Sequence, residues 1–405
     1  MPTPFSRITP TAFPWFPYER FTFSLGLVSA DNNKAWLSGH TGSQHDHAVG
    51  KMVITGTATE QVRISYAKIE AILAGCGMTF TNVKRVVEYL AEHSLQHYAD
   101  AEAIRHEAFG EHRPAVNTVV VNHLLRTKAV MEVEVVASKD ESPPIRISSS
   151  GRVSFADARA MEDVVYLSTV LPTDNNGNVM HSGDLVGQAH YVFEKLLRTL
   201  EACGLGAANV VKTLDYTTPA TLKDYKATGR ARKQFLTAPY PAAAGILMKR
   251  MIHPDITISL DVTASRHQPI AVNPGWERYA KLTYSPAVKA GKMLFMSGQA
   301  ALDPATETAV HEGDVTAQAE YTYNNIVATL SAAACGPEHL IKTIEYVTPQ
   351  GLPEYRNVAG VRDRILRQPY PASTGIVCEA LLRPEFLIEI DPMAVLPDDA
   401  VASTP

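Results

Sequence analysis

The sequence predicts an α+β protein in which three tandem units, each with the element order ββαβαββ, form a pseudo-trimer within one chain. The helices are expected on the outer face of each mixed sheet. The first observation is a long repeat: three strand-like segments carry Ser38, Ser168 and Ser297, which lie 130 and 129 residues apart. A period of this length exceeds that of solenoid repeats and suits whole small domains.

Further landmarks keep the same period and give the second observation. In each unit a Cys-Gly pair ends a helical pattern, an acidic residue and a tyrosine end a strand pattern, and Pro-Ala precedes a β-rich run. The first residues of these pairs are Cys76, Cys203 and Cys335; Glu88, Asp215 and Glu345; and Pro114, Pro241 and Pro371. The three units therefore share one order of elements.

The third unit shows the elements most clearly. Apolar alternation predicts a hairpin whose turn lies at 290–292, and apolar residues at helical spacing predict a long helix that Cys335-Gly336-Pro337 ends. The hairpins predict antiparallel neighbours, the βαβ crossovers predict parallel ones, and helices beside one sheet predict packing on a single face. In chain order the predicted strands and helices are 284–288 and 293–297 (strands), 317–333 (helix), 341–347 (strand), 352–366 (helix), and 373–380 and 386–390 (strands).

Domain boundaries are expected from the repeat and from two linkers. The Ser- and Pro-containing segment 138–144 and the Pro-containing segment 267–275 are typical of linkers. The units are therefore expected at 1–140, 141–270 and 271–405. Each is long enough to bury its own core.

Composition excludes several function classes. Hydrophobic residues make up 45% and charged residues 20% of the 405, and the formal net charge of −5 gives no electrostatic basis for binding nucleic acid or an anionic membrane. The N-terminus lacks a signal-peptide pattern and no apolar run approaches 18 residues, so we expect a cytoplasmic protein with reduced cysteines.

No cofactor or metal is expected. The sequence has no phosphate-binding glycine loop, no Cys-x-x-Cys pair and no serine nucleophile elbow. His45-Asp46-His47 has the content of a metal site but no third ligand nearby in the sequence. The expected partner is a small-molecule substrate.

The motifs of the third unit resemble the RidA (YjgF) family. The segment 284–299 is similar to that family's opening hairpin, and 313–319, 371–375 and 387–391 continue the similarity to the end of the unit. The first two units match the same frame more loosely. The resemblance implies a RidA/YjgF-like (chorismate-mutase-like) fold with active clefts between units, and hydrolysis of reactive enamines or imines to a carbonyl compound and ammonia. Family members are typically homotrimers, so one chain would here form the whole trimer, as a monomer or a dimer of pseudo-trimers.

The resemblance also implies which residues act. The family's water-orienting glutamate falls on Glu132 and Glu389, the two catalytic candidates, and on Ser259 in the second unit. Its first-strand tyrosine falls on Leu25, Phe155 and Tyr284, so only the third unit keeps the hydroxyl. The substrate-binding candidates from these frames are Tyr284, Ser297, Gly298, Gln299, Ser373, Cys378, Ser38, Gly39 and His40. We expect the third unit to supply the principal site.

One departure from the family is informative. The arginine that grips the substrate carboxylate falls on Val116, Ala243 and Ser373, none of which is basic. One arginine recurs on the second predicted helix of each unit, and these three residues are further binding candidates: Arg105, Arg232 and Arg362. Either they form recurring ion pairs, with Glu88, Asp215 and Glu345 as natural partners, or one of them reaches a cleft and replaces the missing arginine.

A second family resembles this chain. Chorismatases, which hydrolyse the enol ether of chorismate, also carry a pseudo-trimer in one chain, and their last unit looks like 311–318 here and has a carboxylate at the position of Glu389. Some members have a cysteine at the position of Cys378. Because all three units here resemble ordinary RidA units, imine or enamine hydrolysis is the first hypothesis. Chorismatase-like or other C–O or C–N hydrolysis is the second, and ligand binding without catalysis, which the missing arginines favour, is the third.

Overall fold

The computed structural model, which describes residues 4–147, 155–398 and 400, has three similar units and confirms the predicted α+β class. Two helices and a mixed sheet recur in each unit, units 1 and 3 each add an edge strand, and unit 1 also has a small hairpin. The elements of unit 1 are β1 Phe5–Arg7, β2 Gly26–Ser29, β3 Lys34–Leu37, β4 His40–Thr41, β5 Gln44–Asp46, β6 Lys51–Val53, α1 Ala58–Ala74, β7 Val83–Ala91, α2 Tyr98–Phe109, β8 Ala115–Val121, β9 His123–Leu124 and β10 Met131–Ser138.

Units 2 and 3 repeat this order. The elements of unit 2 are β11 Ala158–Met161, β12 Val164–Leu167, α3 Leu185–Ala202, β13 Val210–Thr217, α4 Tyr225–Phe235, β14 Ala242–Leu247 and β15 Ile258–Ser265. Those of unit 3 are β16 Ile270–Val272, β17 Ala287–Ala290, β18 Met293–Met296, β19 Gln299–Ala300, α5 Val315–Ala332, β20 Leu340–Val347, α6 Val358–Ile365, β21 Ala372–Val377, β22 Ala380–Leu381 and β23 Ile388–Val395.

Four predicted elements of unit 3 differ from the structure by three residues or more at one end. The strand predicted over 284–288 is β17, Ala287–Ala290, and the strand predicted over 373–380 is β21, Ala372–Val377, followed by the separate β22. The helix predicted over 352–366 is a 3₁₀ helix, Leu352–Asn357, followed by the shorter α6. The last strand, predicted over 386–390, runs from Ile388 to Val395 because β18 and β20 pair with it on both sides. The predicted linker 267–275 contributes the edge strand β16, which pairs with β17 as β1 pairs with β2.

The sheets have one topology. In unit 3 the strands are ordered β17, β18, β23, β20 and β21, and all neighbours are antiparallel except β20 and β21. That one parallel contact follows from the βαβ crossover through α6. Units 1 and 2 have the same order.

Each unit buries its helices against one sheet face, and the opposite faces meet at the pseudo-threefold axis. Three separate cores contain the long helices α1, α3 and α5. Two further cores are shared by all units, one around Tyr89, Tyr216 and Tyr346 and one around Trp36, Tyr166 and Phe295. The helices therefore lie outside, as the sequence predicts. No helix among the residues described is long and apolar enough to span a bilayer.

Three buried ion pairs join the units in a ring. They occupy equivalent positions, and every side chain involved is at most 13% exposed. Burial raises the pKa of Asp261 and Asp391 and lowers that of Lys342. The pairs are Arg85–Asp261 between units 1 and 2, Lys212–Asp391 between units 2 and 3, and Lys342–Glu134, at 2.7 Å, between units 3 and 1.

We expect Asp261→Asn to lower the free energy of unfolding by about 3–5 kcal/mol, because Arg85 then stays buried without its carboxylate. The double variant Arg85→Met/Asp261→Leu should recover most of this loss, since both charges leave together. Denaturant unfolding followed by circular dichroism measures both. Removing the exposed Arg63–Glu107 pair by Arg63→Ala is the control and should cost less than about 1 kcal/mol. An equally small cost for Asp261→Asn would contradict a structural role for the ring.

We expect no ring of three chains, because the three units already close the pseudo-trimer. Edge strands of neighbouring units pair directly: β22 of unit 3 pairs with β14 of unit 2, and β9 of unit 1 with β21 of unit 3. Light scattering should give a mass near 44.1 kDa or twice that value. A mass near three times 44.1 kDa would refute this expectation.

Candidate active site

Three clefts lie between the units. Each forms where the turn that carries Ser38, Ser168 or Ser297, which we call the serine turn, meets the strand that follows the Pro-Ala pair of another unit. Each serine hydroxyl donates to a carbonyl of its own unit and accepts from a backbone N–H of the neighbouring unit at 2.7–2.8 Å. The N–H groups belong to Ser373, Val116 and Ala243, the positions where the family's arginine is missing. We name the clefts by their units: 1/3 at Ser38, 1/2 at Ser168 and 2/3 at Ser297.

These hydrogen bonds correct part of the site that was predicted from the sequence. Ser38 and Ser297 are 0% exposed and hold the units together, so their hydroxyls are not available to a substrate. Cys378 is also 0% exposed; its thiol lies in the axial core and donates to the Val347 carbonyl. Burial raises the pKa of the Cys378 thiol, which makes it an inert core residue.

Cleft 2/3 contains a cavity of about 690 Å³. It brings together five of the residues selected from the sequence, four from unit 3 and one from unit 2. These are Tyr284, Gly298, Gln299, Glu389 and Arg232. A cavity of this size suits a small organic ligand.

Glu389 projects from β23 towards the cavity wall. A side chain at Gly298 would collide with the Glu389 carboxyl, so glycine is required there. Glu389 is 8% exposed, and no described residue hydrogen-bonds its carboxyl. Burial, reinforced by the nearby Asp391, raises the pKa of Glu389 to about 8. The carboxyl is therefore largely protonated at pH 7.

The cavity is strongly cationic. Glu389 is its only acidic lining residue in the described chain, against seven basic ones. Such a lining favours an anionic ligand, since a low-dielectric cleft with charges of one sign concentrates the opposite charge. The basic residues are Lys226, Arg230, Arg232, Lys233, Arg278, Lys281 and Arg383.

Arg232 is the deepest of these cations. It is 6% exposed and pairs with Asp215, which also accepts from the Tyr225 hydroxyl at 3.2 Å. Only one guanidinium nitrogen is used in this way; the others hydrogen-bond to no described residue and remain accessible. Arg232 therefore forms the predicted ion pair and also lines the cleft.

The other two arginines also form the predicted pairs. Arg105 is 0% exposed and donates to Glu88 at 2.5 Å in cleft 1/2. Arg362 lies 3.5 Å from Glu345. Arg105 is thus a structural residue.

Aromatic side chains form one wall of the cavity. Trp276 stacks on Tyr279 at 6.0 Å between ring centroids, and Tyr279 meets Tyr284 edge-on at 5.5 Å. The sequence analysis missed Trp276 and Tyr279. The signal was present, since a Trp-x-x-Tyr segment lies between β1 and β2 of unit 1 and between β16 and β17 of unit 3, as Trp15–Tyr18 and Trp276–Tyr279.

Cleft 1/3 holds the remaining candidates. Glu132 lies against Gly39, and burial raises the pKa of Glu132 to about 8. His40 is 3% exposed, and burial lowers its pKa to about 3, so the imidazole is neutral. Ser373 joins the serine contact through its backbone N–H.

One assignment in unit 1 was wrong by two residues. Ser24 and Ser285 both bridge to the strand of a neighbouring unit, so the counterpart of Tyr284 is Phe23 and not Leu25. The hairpin β2–β3 has a four-residue turn where β17–β18 has two residues, and this difference shifted the alignment.

The described residues contain no group of three or more His, Cys, Asp or Glu side chains arranged for a metal ion. The rings of His45 and His47 lie 4.7 Å apart beside the β5–β6 hairpin.

Comparisons with known proteins agree with this architecture. A RutC family protein of Synechocystis is 34% identical over 114 residues, which cover 28% of this chain and 86% of that protein. The 3-aminoacrylate deaminase RutC of Acinetobacter baylyi is 24% identical over 130 residues, 32% of this chain and 95% of that protein. These relatives are about one unit long. A chorismatase crystal structure shares the fold, with a TM-score of 0.52 and 16% identity over 78% of this chain and 93% of that chain.

The family model described as Endoribonuclease L-PSP matches the chain three times in tandem, at residues 21–139, 148–266 and 277–396. These matches cover most of the 405 residues and fall on the three units of the structure. The chain therefore belongs to this family, Ribonuc_L-PSP, and carries three copies of its unit.

Proposed function

We propose that cleft 2/3 hydrolyses a small anionic enamine or imine to a carbonyl compound and ammonia. The observation that carries the proposal is Glu389, a buried and largely protonated carboxylic acid in an otherwise cationic cavity. A positioned acid of this pKa delivers protons efficiently near neutral pH. The buried carboxylate also argues against a cleft that only binds ligand.

The reaction needs one proton donor and one water. The Glu389 carboxyl donates its proton to the β-carbon of the enamine, whose C=C electron pair forms the new C–H bond and leaves an iminium ion. Water adds to the iminium carbon and gives its proton to the Glu389 carboxylate, which restores the acid. The carbinolamine then transfers a proton to nitrogen and loses ammonia, leaving the carbonyl product. A substrate that arrives as a neutral imine first takes the Glu389 proton on its nitrogen, which gives the same iminium ion and the same carboxylate before water adds.

The basic residues and the aromatic wall of cleft 2/3 bind the substrate in this proposal. Ala243 stands where the family's arginine is expected, and its N–H is held by Ser297. Arg232 has free guanidinium nitrogens in the same cavity and suits a carboxylate. Trp276 and Tyr284 offer flat surfaces to the carbon skeleton of the substrate.

The number of cations in cleft 2/3 favours a second candidate function, the hydrolysis of an enol ether. Two of the seven basic residues are already paired, Arg232 with Asp215 and Arg278 with Glu307. The remaining five still exceed the need of one carboxylate and suit a substrate with two or more negative charges. The same proton transfer from Glu389 to an enol-ether carbon gives an oxocarbenium ion, and water addition then releases an alcohol. We rank ammonia release first because one relative of the chain is named a 3-aminoacrylate deaminase. Assaying ammonia and alcohol release separately distinguishes the two reactions.

We expect Glu389→Gln to lower kcat/KM by about 100-fold or more, because the amide cannot donate the proton. Glu132→Gln is the matched comparison: Glu132 has the same burial and the same raised pKa of about 8 in cleft 1/3. It should change kcat/KM by no more than about threefold, as expected for a distant site. Equal losses in both variants would show that the clefts have not specialised.

The pH dependence of kcat/KM distinguishes whether Glu389 acts as an acid or as a base. If Glu389 donates a proton, kcat/KM is highest below the pKa of about 8 and falls about tenfold per pH unit above it. If Glu389 instead acts as a carboxylate base, the rate rises up to that pH and then levels off. Rate profiles from pH 5 to 10 in buffers of constant ionic strength decide between the two roles.

A further inference from the structure

Cleft 1/3 repeats the main parts of cleft 2/3. Glu132 corresponds to Glu389 and is 7% exposed. Neither of its carboxyl oxygens is hydrogen-bonded to a described residue or sealed off from solvent. Gly39 corresponds to Gly298, and a side chain there would collide with Glu132. The acid is therefore presented in the same way in both clefts.

Arg362 is buried in this cleft without a hydrogen bond to any described residue. It is 8% exposed and has only an ion pair with Glu345 at 3.5 Å. The two oxygens of Glu345 accept instead from the hydroxyls of Tyr323 and Tyr355, each at 2.5 Å. Arg362 is the counterpart of Arg232, and its terminal nitrogens remain open to a ligand.

The surroundings of Arg362 match those of Arg232. The Tyr355 hydroxyl lies against Gly375, as the Tyr225 hydroxyl lies against Gly245. Leu125 lies beside Gly375 and is 38% exposed, which marks the mouth of the cleft. Arg126, which acts electrostatically on Glu132, follows Leu125 as Arg383 follows Leu382 in cleft 2/3.

An aromatic segment covers cleft 1/3. Phe13 and Phe16, on either side of Trp15, pack near the His40 ring at 6.2 and 6.5 Å between centroids. The Nε2 atom of His40 is buried and has no partner among the described residues. A buried polar atom without a partner is rare in proteins, and it lies here in the same turn as Gly39.

The two clefts differ most in charge. At the five rim positions cleft 2/3 has only basic residues, whereas the equivalent positions of cleft 1/3 hold two basic residues, one acid and two uncharged residues. The rim residues of cleft 2/3 are Lys226, Arg230, Lys233, Arg278 and Lys281. Their counterparts in cleft 1/3 are Arg356, Gly360, Asp363, Pro17 and Arg20.

We propose that cleft 1/3 is a second ligand site, which binds a small monocarboxylate through the Arg362 guanidinium, while cleft 2/3 binds ligands that carry more than one negative charge. A guanidinium with two open N–H donors matches one carboxylate fork. The nearly balanced rim of cleft 1/3 adds little for a second charge. This proposal does not depend on catalysis in cleft 2/3.

Butyrate and succinate are the matched probes, since they have the same number of carbons and differ by one carboxylate. The tryptophans are expected to report the two clefts separately, because Trp15 is the repeat counterpart of the cavity residue Trp276 and contacts Phe13, which lies near His40. Trp276→Phe leaves Trp15 as the reporter of cleft 1/3, Trp15→Phe leaves Trp276 as the reporter of cleft 2/3, and Trp36 is buried in a shared core. Fluorescence titration of the full chain, repeated by calorimetry, gives each Kd. We expect butyrate to bind at Trp15 with a millimolar Kd, and succinate to prefer the site at Trp276.

Arg362→Lys should weaken butyrate binding at Trp15 by about tenfold or more, because a point charge loses the bidentate geometry. Arg232→Lys should change it by less than about twofold. Arg126→Gln should weaken butyrate binding at Trp15 by about threefold. Because Arg126 is exposed, this variant leaves the core intact and tests the site even if the Arg362 variant misfolds. The proposal is overturned if butyrate gives no binding heat, if succinate binds at Trp15 as tightly as butyrate, or if the Arg362 and Arg126 variants bind butyrate like the unmodified chain.

Discussion

The ring of three buried ion pairs is the constraint on which the rest of the molecule depends. Each pair brings a cation of one unit against an acid on the last strand of another, so the pairs fix how the three sheets meet. Once the sheets are placed, the serine turn of each unit falls against its neighbour, and a cleft forms at every boundary. The clefts are therefore a geometric result of the contacts that close the pseudo-trimer.

Covalent fusion allows these three clefts to differ. In a ring of identical chains every substitution appears three times, whereas here each unit varies alone. Unit 2 has Ser259 where the other units have Glu132 and Glu389, and cleft 1/2 keeps its arginine, Arg105, fully engaged in ion pairs. The assembly thus retains its symmetry in the backbone and loses it in the side chains that face the clefts.

The fold was predictable from the sequence because repeats, hairpins and helix ends leave local signals. The position of Glu389 was predictable for the same reason, since the repeat places Glu132, Ser259 and Glu389 at one position of the last strand, and its catalytic role stays a proposal. The serines were misjudged: their hydrogen bonds cross between units, and no local pattern indicates which N–H meets Ser297. The shifted alignment at Phe23 arose from a turn two residues longer, a change of length that periodicity cannot locate. The cationic cavity depends on α4 and 276–284 meeting across a boundary, which only the tertiary structure shows.

The position of Glu389 two residues before Asp391 on β23 has an evolutionary consequence. Asp391 forms the ion pair with Lys212 and also raises the pKa of Glu389, which Lys212 lowers. Because side chains two apart share one face of a strand, assembly and acidity are set by the same short segment. A mutation at Asp391 or Lys212 therefore alters the pKa of Glu389 together with the cohesion of the units. Selection on either property constrains the other.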